Sequence, residues 1–325
     1  MYNKSLNTVF IATLSLGIVM MVSSKTWFSV WLGLEINLLS FLPVILLASA
    51  NTSEGGLKYF LIQAMGSLLI LQTSFSWSML PYSFMFFILP LTLKLGAAPL
   101  HFWLPDVTKT LPWRVNMILL TAQKMGPLYL LTMVSMGHKP PLLLISAASA
   151  VVGSLGGLNE MDLRKLMAFS SISHMGWVLA SSTLSSAHWV MYFLTYVVTS
   201  LSLIIILDNM NMFSVGQLTS KNKSSLLTML LFLSLGGLPP FLGFAPKWAI
   251  LMSGASVSLA LSVILVLTSM ITLYYYIRTS LMTITLNAAN FNMMVMMNNK
   301  FKTALIFASV MGGGVYMYMW SSLML

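Results

Sequence analysis

Long apolar segments, separated by short polar connections, make up almost the whole chain. A helix needs about 20 apolar residues to cross a bilayer, and polar clusters divide the sequence into segments of that size. The apolar stretch between the polar loops 208–225 and 278–302 is long enough for two helices, which we divide near residues 253–256. The pattern predicts eleven membrane-spanning helices, near residues 6–23, 26–49, 58–79, 81–104, 113–136, 140–158, 166–185, 187–207, 226–253, 256–277 and 303–323.

The composition favours a membrane protein over a soluble one. The chain is 58% hydrophobic and 7% charged, with a mean hydropathy of +0.89, whereas about 25% of the residues in a soluble domain are charged. So few charges cannot cover a water-soluble surface, and the short connections leave no room for a separate soluble domain. We therefore predict an all-α polytopic membrane protein. Residues 1–23 resemble a signal peptide but lack a small-residue cleavage site, so we assign them to the first span.

The sequence carries no motif for a redox cofactor or a metal. Cysteine is absent, which excludes disulfides, thiolate zinc sites and iron–sulfur clusters bound by cysteine. There is also no glycine-rich nucleotide motif, no phosphate-binding loop and no histidine pair with haem-like spacing. The 28 methionines lie within the spans and are interpreted as apolar filler. We predict that this chain binds neither cofactor nor metal.

The distribution of positive charge predicts an orientation. If the N-terminus lies on the side that retains positive charge, two of the 16 Lys and Arg residues fall on the opposite side, Lys25 and Lys139, and three lie within spans. The other eleven share the N-terminal side, as the positive-inside rule expects. The net charge of +10 is then a topology signal, and no nucleic-acid partner is predicted. The eleven are Lys4, Lys58, Lys109, Arg114, Arg164, Lys165, Lys221, Lys223, Arg278, Lys300 and Lys302.

Four charged residues fall inside predicted spans: Glu35, Lys94, Lys124 and Lys247. Each charge at a helix centre costs about 2.5–3.5 kcal/mol, so four cost on the order of 10–14 kcal/mol. That cost is comparable to the stability of a whole domain, so these residues are expected to have a role. Ion pairs that hold helices together are one explanation. With one carboxylate for three ammonium groups, pairing accounts for one lysine at most.

A proton relay is the alternative that accommodates all four charges. Burial away from water disfavours the charged form of an amine, and a nearby carboxylate favours it. Lysines in such settings can switch between protonation states, as a relay across a membrane requires. We therefore predict that Glu35, Lys94, Lys124 and Lys247 form a proton relay.

Proline and glycine surround two of these lysines. Lys94 lies between Pro90 and Pro99 in the fourth span, and Lys247 follows the glycine- and proline-rich segment "LGGLPPFLGFAP" in the ninth. Broken helices free backbone carbonyls and make room for water beside a charge. Because the two spans are an odd number apart, they have opposite orientations, as in an inverted repeat. We predict a single transmembrane domain with two inverted five-helix repeats, near 1–136 and 140–277, and a final span at 303–323.

One of the four histidines lies in the middle of a predicted span, and the other three lie near span ends. His174 is central in the seventh span, where it is either a hydrogen-bonded packing residue or a further member of the relay. His101, which follows Pro99, orients water or caps the span end, and the cap is the favoured interpretation. His138 and His188 lie at span ends and are assigned to the surface.

Five segments in order resemble one family: "WLGLEINLLSFLP", "KLGAAPLHFWLPDV", "LTAQKMGPLYLL", "AFSSISHMGW" and "GGLPPFLGFAPKW". They are similar to the antiporter-like subunits of respiratory complex I, specifically the chain 2 family of mitochondrial NADH:ubiquinone oxidoreductase. The resemblance covers about residues 25–250. It implies an antiporter-like fold in the membrane arm, where quinone reduction elsewhere in the complex drives proton transfer.

The resemblance also implies roles and surroundings. Glu35 and Lys94 would be the coupled pair of the input half, Lys124 the connecting lysine, and Lys247 the lysine of the exit half, with His174 in the family's span-seven motif. NADH, FMN, iron–sulfur clusters and ubiquinone would belong to other subunits. The expected partners are other membrane-arm subunits, lipid such as cardiolipin, protons and internal water. The expected location is the mitochondrial inner membrane, with the N-terminus in the matrix and the C-terminus in the intermembrane space.

Two other functions remain open at this stage. The chain could be a subunit of a related sodium/proton antiporter, or a structural membrane subunit whose charges only hold helices together. Lys247 and the segment "HFWLPDV" favour the redox complex over the antiporter. The ratio of one buried carboxylate to three lysines speaks against a purely structural role.

Overall fold

The computed structural model describes residues 2–48, 52–76, 83–134, 139–218, 225–254, 258–285 and 300–324. Within these ranges the chain is helical except for connections and one isolated antiparallel bridge between Asp162 and Ser214. The helices are α1 (Tyr2–Ser23), α2 (Trp27–Leu46), α3 (Ser53–Ser76), α4 (Ser83–Leu95), α5 (Trp103–Thr110), α6 (Trp113–Leu120), α7 (Ala122–Val134), α8 (Lys139–Gly156), α9 (Leu163–Ser182), α10 (Ser186–Asn209), α11 (Val215–Leu218), α12 (Ser225–Gly236), α13 (Phe244–Gly254), α14 (Leu259–Thr285) and α15 (Lys300–Met324).

Most of the apolar segments predicted from the sequence contain these helices, whereas α11 and most of α5 lie in stretches predicted as connections. Five helical segments within the described ranges are long and apolar enough to cross a membrane, namely Trp27–Leu46, Trp113–Val134, Lys139–Gly156, Ser186–Asn209 and Leu259–Met282. Four shorter apolar helices accompany them: Thr8–Ser23, Met85–Leu95, Leu227–Gly236 and Thr303–Gly314. The prediction of an all-helical membrane protein is thereby confirmed at the level of its elements.

The chain forms two compact units, Met1–Leu142 and Leu143–Leu325. In the first unit α1 packs along α2, α3 contacts α2, α4 and α5, and α7 contacts α1, α4 and α6. Small residues allow the close approach of α1 and α2, since a Cβ added to Gly33 would lie 3.1 Å from the Gly17 carbonyl oxygen. The helices that carry Glu35, Lys94 and Lys124 are thus neighbours within one unit.

The second unit is organised around α9 and α10. Helix α10 contacts α9, α12, α13 and α15, and α14 packs against α12 and α9. Helix α9 approaches the α8 backbone closely, because a Cβ added to Gly176 would lie 2.8 Å from the Ala150 amide nitrogen. One face of α9 bears Ser170, Ser173 and His174 in this interior.

Two predicted interruptions are confirmed and a third is new. Helix α4 ends at Leu95 and α5 begins at Trp103, and α12 ends at Gly236 before α13 begins at Phe244. The predicted fifth span is divided at Thr121, between α6 and α7. Pro90, by contrast, lies inside α4 and does not end it. A proline removes one backbone donor, but neighbouring helices can satisfy the carbonyl that it frees.

Helix α14 continues to Thr285, past the predicted end of the tenth span near residue 277, so the first residues of the predicted loop 278–302 are helical. Thr279 and Ser280 were expected to begin a loop, but their hydroxyls donate to the carbonyls of Tyr276 and Ile277 in the same helix. This local bonding lets polar residues continue a helix. His138, residues 219–224 of the first loop and 286–299 of the second, and the division near 255–256 lie outside the described residues.

Candidate functional site

Lys94 is held by helix α3 at the end of α4. Its side chain is only 6% exposed, and its ammonium donates to the Gln63 carbonyl oxygen at 2.9 Å. The Gln63 side-chain amide donates in return to the Lys94 carbonyl at 3.3 Å, which satisfies a group freed by the helix end. Gly66 makes room for the lysine stem, since a Cβ there would lie 3.0 Å from Lys94 Cγ.

Glu35 is bound to the same helix one turn further along. Its carboxylate accepts a hydrogen bond from the Ser67 hydroxyl at 2.6 Å, and Gln63 and Ser67 are i, i+4 neighbours on one face of α3. The charges of Glu35 and Lys94 attract each other across this face. Glu35 is partly rather than fully buried, so it lies closer to the surface of this chain than the sequence indicated.

A chain of side-chain amides anchors the start of α7 beside Lys124. The Tyr59 hydroxyl donates to the Gln123 carbonyl oxygen at 3.2 Å, and the Gln123 amide donates to the Asn37 oxygen at 3.1 Å. Lys124, which follows Gln123, is 3% exposed. Helices α2 and α3, which carry Glu35 and Gln63, are therefore hydrogen-bonded to the first turn of α7, which carries Lys124.

The interruption between α4 and α5 keeps its freed backbone groups bonded. Gly96 turns the chain with φ of 68°, a conformation that glycine adopts without steric penalty. The Trp103 indole donates to the Leu93 carbonyl at 3.0 Å. His101 Nδ1 lies 3.2 Å from the Pro99 carbonyl, a local contact in line with the capping role favoured for this residue.

Lys247 lies in the second unit, just after the interruption between α12 and α13. It is 7% exposed, and its ammonium donates to the Gly236 carbonyl at 3.0 Å. That carbonyl is at the C-terminal end of α12, where the helix dipole favours a cation. The ammonium also lies 5.9 Å from the ring centre of Trp177, within reach of a cation–π interaction.

His174 is part of an aromatic group between α9 and α10. Its Nδ1 lies 2.9 Å from the Tyr192 hydroxyl, and its ring centre lies 5.2 Å from that of Tyr196. The Trp177 ring stacks parallel to Tyr192 at 6.3 Å. Trp177 therefore contacts both the histidine's partner and Lys247, which brings His174 and Lys247 into one neighbourhood of the second unit.

The structure adds neutral partners that the sequence analysis missed. Gln63, Ser67 and Gln123 are polar residues within apolar spans, and the i, i+4 spacing of the first two is the signal that could have singled them out. The described part of the chain contains no group of three or more His, Asp and Glu residues placed to hold a metal ion. What the site offers chemically is a set of buried or partly buried titratable groups, of which Glu35, Lys94, Lys247 and His174 each lie beside a neutral hydrogen-bond partner.

Comparison with known proteins gives consistent results. The family model described as "NADH:quinone oxidoreductase/Mrp antiporter, TM" matches residues 24–78 and 68–272. NADH-ubiquinone oxidoreductase chain 2 of Anopheles gambiae is 39% identical, with 97% of each chain covered. The protein of the same name from Locusta migratoria is 38% identical, with 86% of each chain covered.

Two solved structures share the fold. A chain in respiratory complex I from Thermus thermophilus with bound aureothin superposes with a TM-score of 0.81 at 23% identity, covering 97% of this chain and 77% of that one. A chain of the Mrp complex from Dietzia sp. has a TM-score of 0.74 at 15% identity, covering 83% of this chain and 59% of that one.

Proposed function

The chain belongs to the NADH:quinone oxidoreductase/Mrp antiporter family of transmembrane proteins, and from this membership we propose that it is a proton-translocating membrane-arm subunit of NADH:ubiquinone oxidoreductase. Relatives that bear the name chain 2 of that enzyme cover almost the whole sequence. The observation that carries a translocating role, rather than a structural one, is that Lys94 and Lys247 are buried against carbonyl oxygens instead of carboxylates.

In the first unit, proton movement would be coupled through α3. Glu35 and Lys94 attract each other, and each is also bonded to a neutral group of α3. When Lys94 releases its proton, Glu35 loses an opposing charge and its neutral form becomes more favourable. In this proposal Lys94 passes its proton to Lys124 without breaking a salt bridge, and Glu35 then takes up the next proton from internal water and returns it to the neutral Lys94 amine.

In the second unit, Lys247 would be the group that releases protons to the far side of the membrane. Its ammonium is stabilised by the Gly236 carbonyl and by the Trp177 ring, both of which remain in place when the proton leaves. His174, with Tyr192 at hydrogen-bond distance, would relay protons toward it. NADH, FMN, iron–sulfur clusters and ubiquinone belong to other subunits in this proposal, and reduction of ubiquinone there drives the cycle.

The proposed architecture has eleven spans in two inverted five-helix repeats, 1–136 and 140–277, followed by the span 303–323. The division of the chain between Leu142 and Leu143 lies close to the proposed repeat boundary. The chain would lie in the mitochondrial inner membrane beside other membrane-arm subunits, lipid such as cardiolipin, and internal water.

A subunit of a sodium/proton antiporter is the second candidate, because the Mrp chain shares the fold. Blue-native electrophoresis of the source membrane, with an antibody to this chain, separates the two. We expect the chain to migrate with NADH:ubiquinone reductase activity, and the purified assembly to acidify vesicles when NADH and ubiquinone are supplied. Migration in an assembly that exchanges sodium for protons without NADH would refute the proposal.

A further inference from the structure

A cluster of buried hydroxyls that have been given no role above lies between α14 and α9. Tyr275 and Tyr276 are 0% and 1% exposed, and their rings meet edge to face with centres 4.6 Å apart. The Tyr275 hydroxyl faces Ser173 and the Tyr276 hydroxyl faces Ser170. Gly157 provides the space for Tyr275, since a Cβ there would lie 2.9 Å from the ring. The fold therefore holds both phenol groups inside the unit.

Among the described residues, neither hydroxyl makes a hydrogen bond of standard length and angle, although each is directed at a serine. The facing serines already donate their own protons to backbone carbonyls, Ser170 to Met167 at 2.8 Å and Ser173 to Ser170 at 2.7 Å. The serine oxygens are therefore available only as acceptors. Buried polar groups in proteins are almost always hydrogen-bonded, and bound water commonly completes the set. Two phenol donors opposite two serine acceptors are the partners that a bridging water needs.

One ring of the cluster lies beside Gly236, the residue that holds Lys247. The Tyr276 ring lies against Gly236, since a Cβ added to that glycine would be 3.4 Å from Tyr276 Cδ2. The Gly236 carbonyl is the group that holds the Lys247 ammonium. The Tyr276 ring and the Lys247 ammonium, which the proposed function makes the exit group, therefore both lie against Gly236.

The other end of the cluster reaches a polar surface. Arg278 lies one helical turn beyond Tyr275 (i, i+3) on α14 and donates to the Glu160 carbonyl at 3.3 Å. The Glu160 carboxylate in turn pairs with Lys165 at 3.6 Å. In the orientation proposed above this surface faces the matrix. The hydroxyl cluster therefore lies between a charged surface and Lys247, within one unit.

We propose that Tyr275, Tyr276 and bound water form a path by which protons pass from the Arg278 surface to Lys247. The inference rests on the proposed function and adds the route of proton uptake for the second unit. At each step a hydroxyl oxygen accepts the incoming proton while it releases its own proton to the next acceptor. One O–H bond forms and one breaks, no phenol becomes ionised, and the neutral Lys247 amine receives the proton at the end.

The neighbouring residue provides a matched control. Tyr274 lies on the same helix but is 60% exposed, so its hydroxyl has no place in the path. Phenylalanine keeps the ring and removes only the hydroxyl, so Tyr→Phe variants preserve packing. We would compare Tyr275→Phe/Tyr276→Phe with Tyr274→Phe in the assembled complex, reconstituted in vesicles that report proton uptake.

We expect the double variant to assemble normally and to lower proton uptake by at least about tenfold, with a larger slowing in D2O than in the native complex. Tyr274→Phe should match the native complex in both measurements. A cryo-electron microscopy map should also show water within hydrogen-bond distance of Tyr275 or Tyr276. If the double variant does not assemble, each single variant is judged by the same criteria.

Lys247→Met separates failure of the path from failure of the proposed function. If Lys247→Met abolishes pumping while the tyrosine variants pump normally, the path is wrong and the function stands. If none of these variants changes pumping, the relay through the second unit is itself refuted. A well-resolved map without water at either hydroxyl would also overturn the path.

Discussion

A lysine bonded to a backbone carbonyl differs chemically from a lysine paired with a carboxylate. Lys94 and Lys247 donate to the carbonyls of Gln63 and Gly236. When a salt bridge loses the proton of its lysine, it leaves a buried, uncompensated carboxylate, which is strongly destabilising. A carbonyl has no net charge, so deprotonation of Lys247 leaves only an unused acceptor, and at Lys94 the nearby Glu35 carboxylate keeps its hydrogen bond from Ser67. Carbonyl-bound lysines are therefore suited to repeated protonation cycles.

Lys247→Arg tests whether this lysine must release its proton. Guanidinium stays protonated at any working pH, so a relay predicts that Arg lowers pumping nearly as much as Met does, by at least about tenfold, while the complex still assembles. A purely electrostatic role predicts that Arg functions well and Met does not. Proton uptake by vesicles containing each variant distinguishes the two, and full activity of the Arg variant would exclude the relay at this position.

Glu35→Gln tests the charge of the carboxylate separately from its hydrogen bond. The amide oxygen can still accept from the Ser67 hydroxyl, but the attraction on Lys94 is lost. We expect Glu35→Gln and Lys94→Met to assemble and to lower both pumping and NADH:ubiquinone turnover. Ser67→Ala, which removes the hydrogen bond and keeps the charge, should have the smaller effect. Unchanged pumping per electron in an assembled Lys94→Met complex would show that Lys94 is only structural.

At the scale of elements, the interruption between α12 and α13 depends on close backbone packing. A Cβ added to Gly243 would collide with the Ser234 carbonyl oxygen, so Gly243→Ala must displace the backbone that orients Gly236 and Lys247. We expect this variant to lose about 1–3 kcal/mol of stability and to assemble poorly, as judged by blue-native electrophoresis and thermal denaturation. Gly254→Ala is the control, because no atom of the described residues lies within 4 Å of a Cβ there. Equal stability of the two variants would contradict this account.

Proline and glycine residues predicted some of the helix interruptions correctly, but not all of them. The segments around Pro99 and after Gly236 are interrupted as expected, whereas Pro90 and Pro127 lie within continuous helices. The helix is also interrupted at Thr121, where the sequence has no proline or glycine that would predict it. Local sequence identifies apolar segments and charged candidates. It does not show which freed carbonyl will find a partner on another helix, as Lys94 finds Gln63.

At the scale of the whole molecule, both the charge pattern of the chain and the position of its candidate site are those of a membrane protein. The residues proposed to move protons lie in apolar helices, while the ion pair of Glu160 and Lys165 joins the connection before α9 to the first turn of that helix. Which unit contains each lysine could not be read from composition. The spacing of the interrupted segments supplied that expectation, and the division after Leu142 places Lys94 and Lys124 in one unit and Lys247 in the other.

The distribution of basic residues makes a prediction about the orientation of the whole chain. Eleven of the 16 Lys and Arg residues share one predicted side, so the loop 208–225 should face the matrix and the C-terminus the intermembrane space. Lys221 and Lys223 in that loop are targets for trypsin. We expect trypsin to cut there in inside-out inner-membrane vesicles and to leave the loop intact in vesicles of native orientation.

A tag at the C-terminus should be accessible in the opposite preparation, the vesicles of native orientation. Because an odd number of spans puts the two termini on opposite sides, both termini on one side would refute the count of eleven. Cleavage of the loop from the intermembrane side would instead refute the orientation.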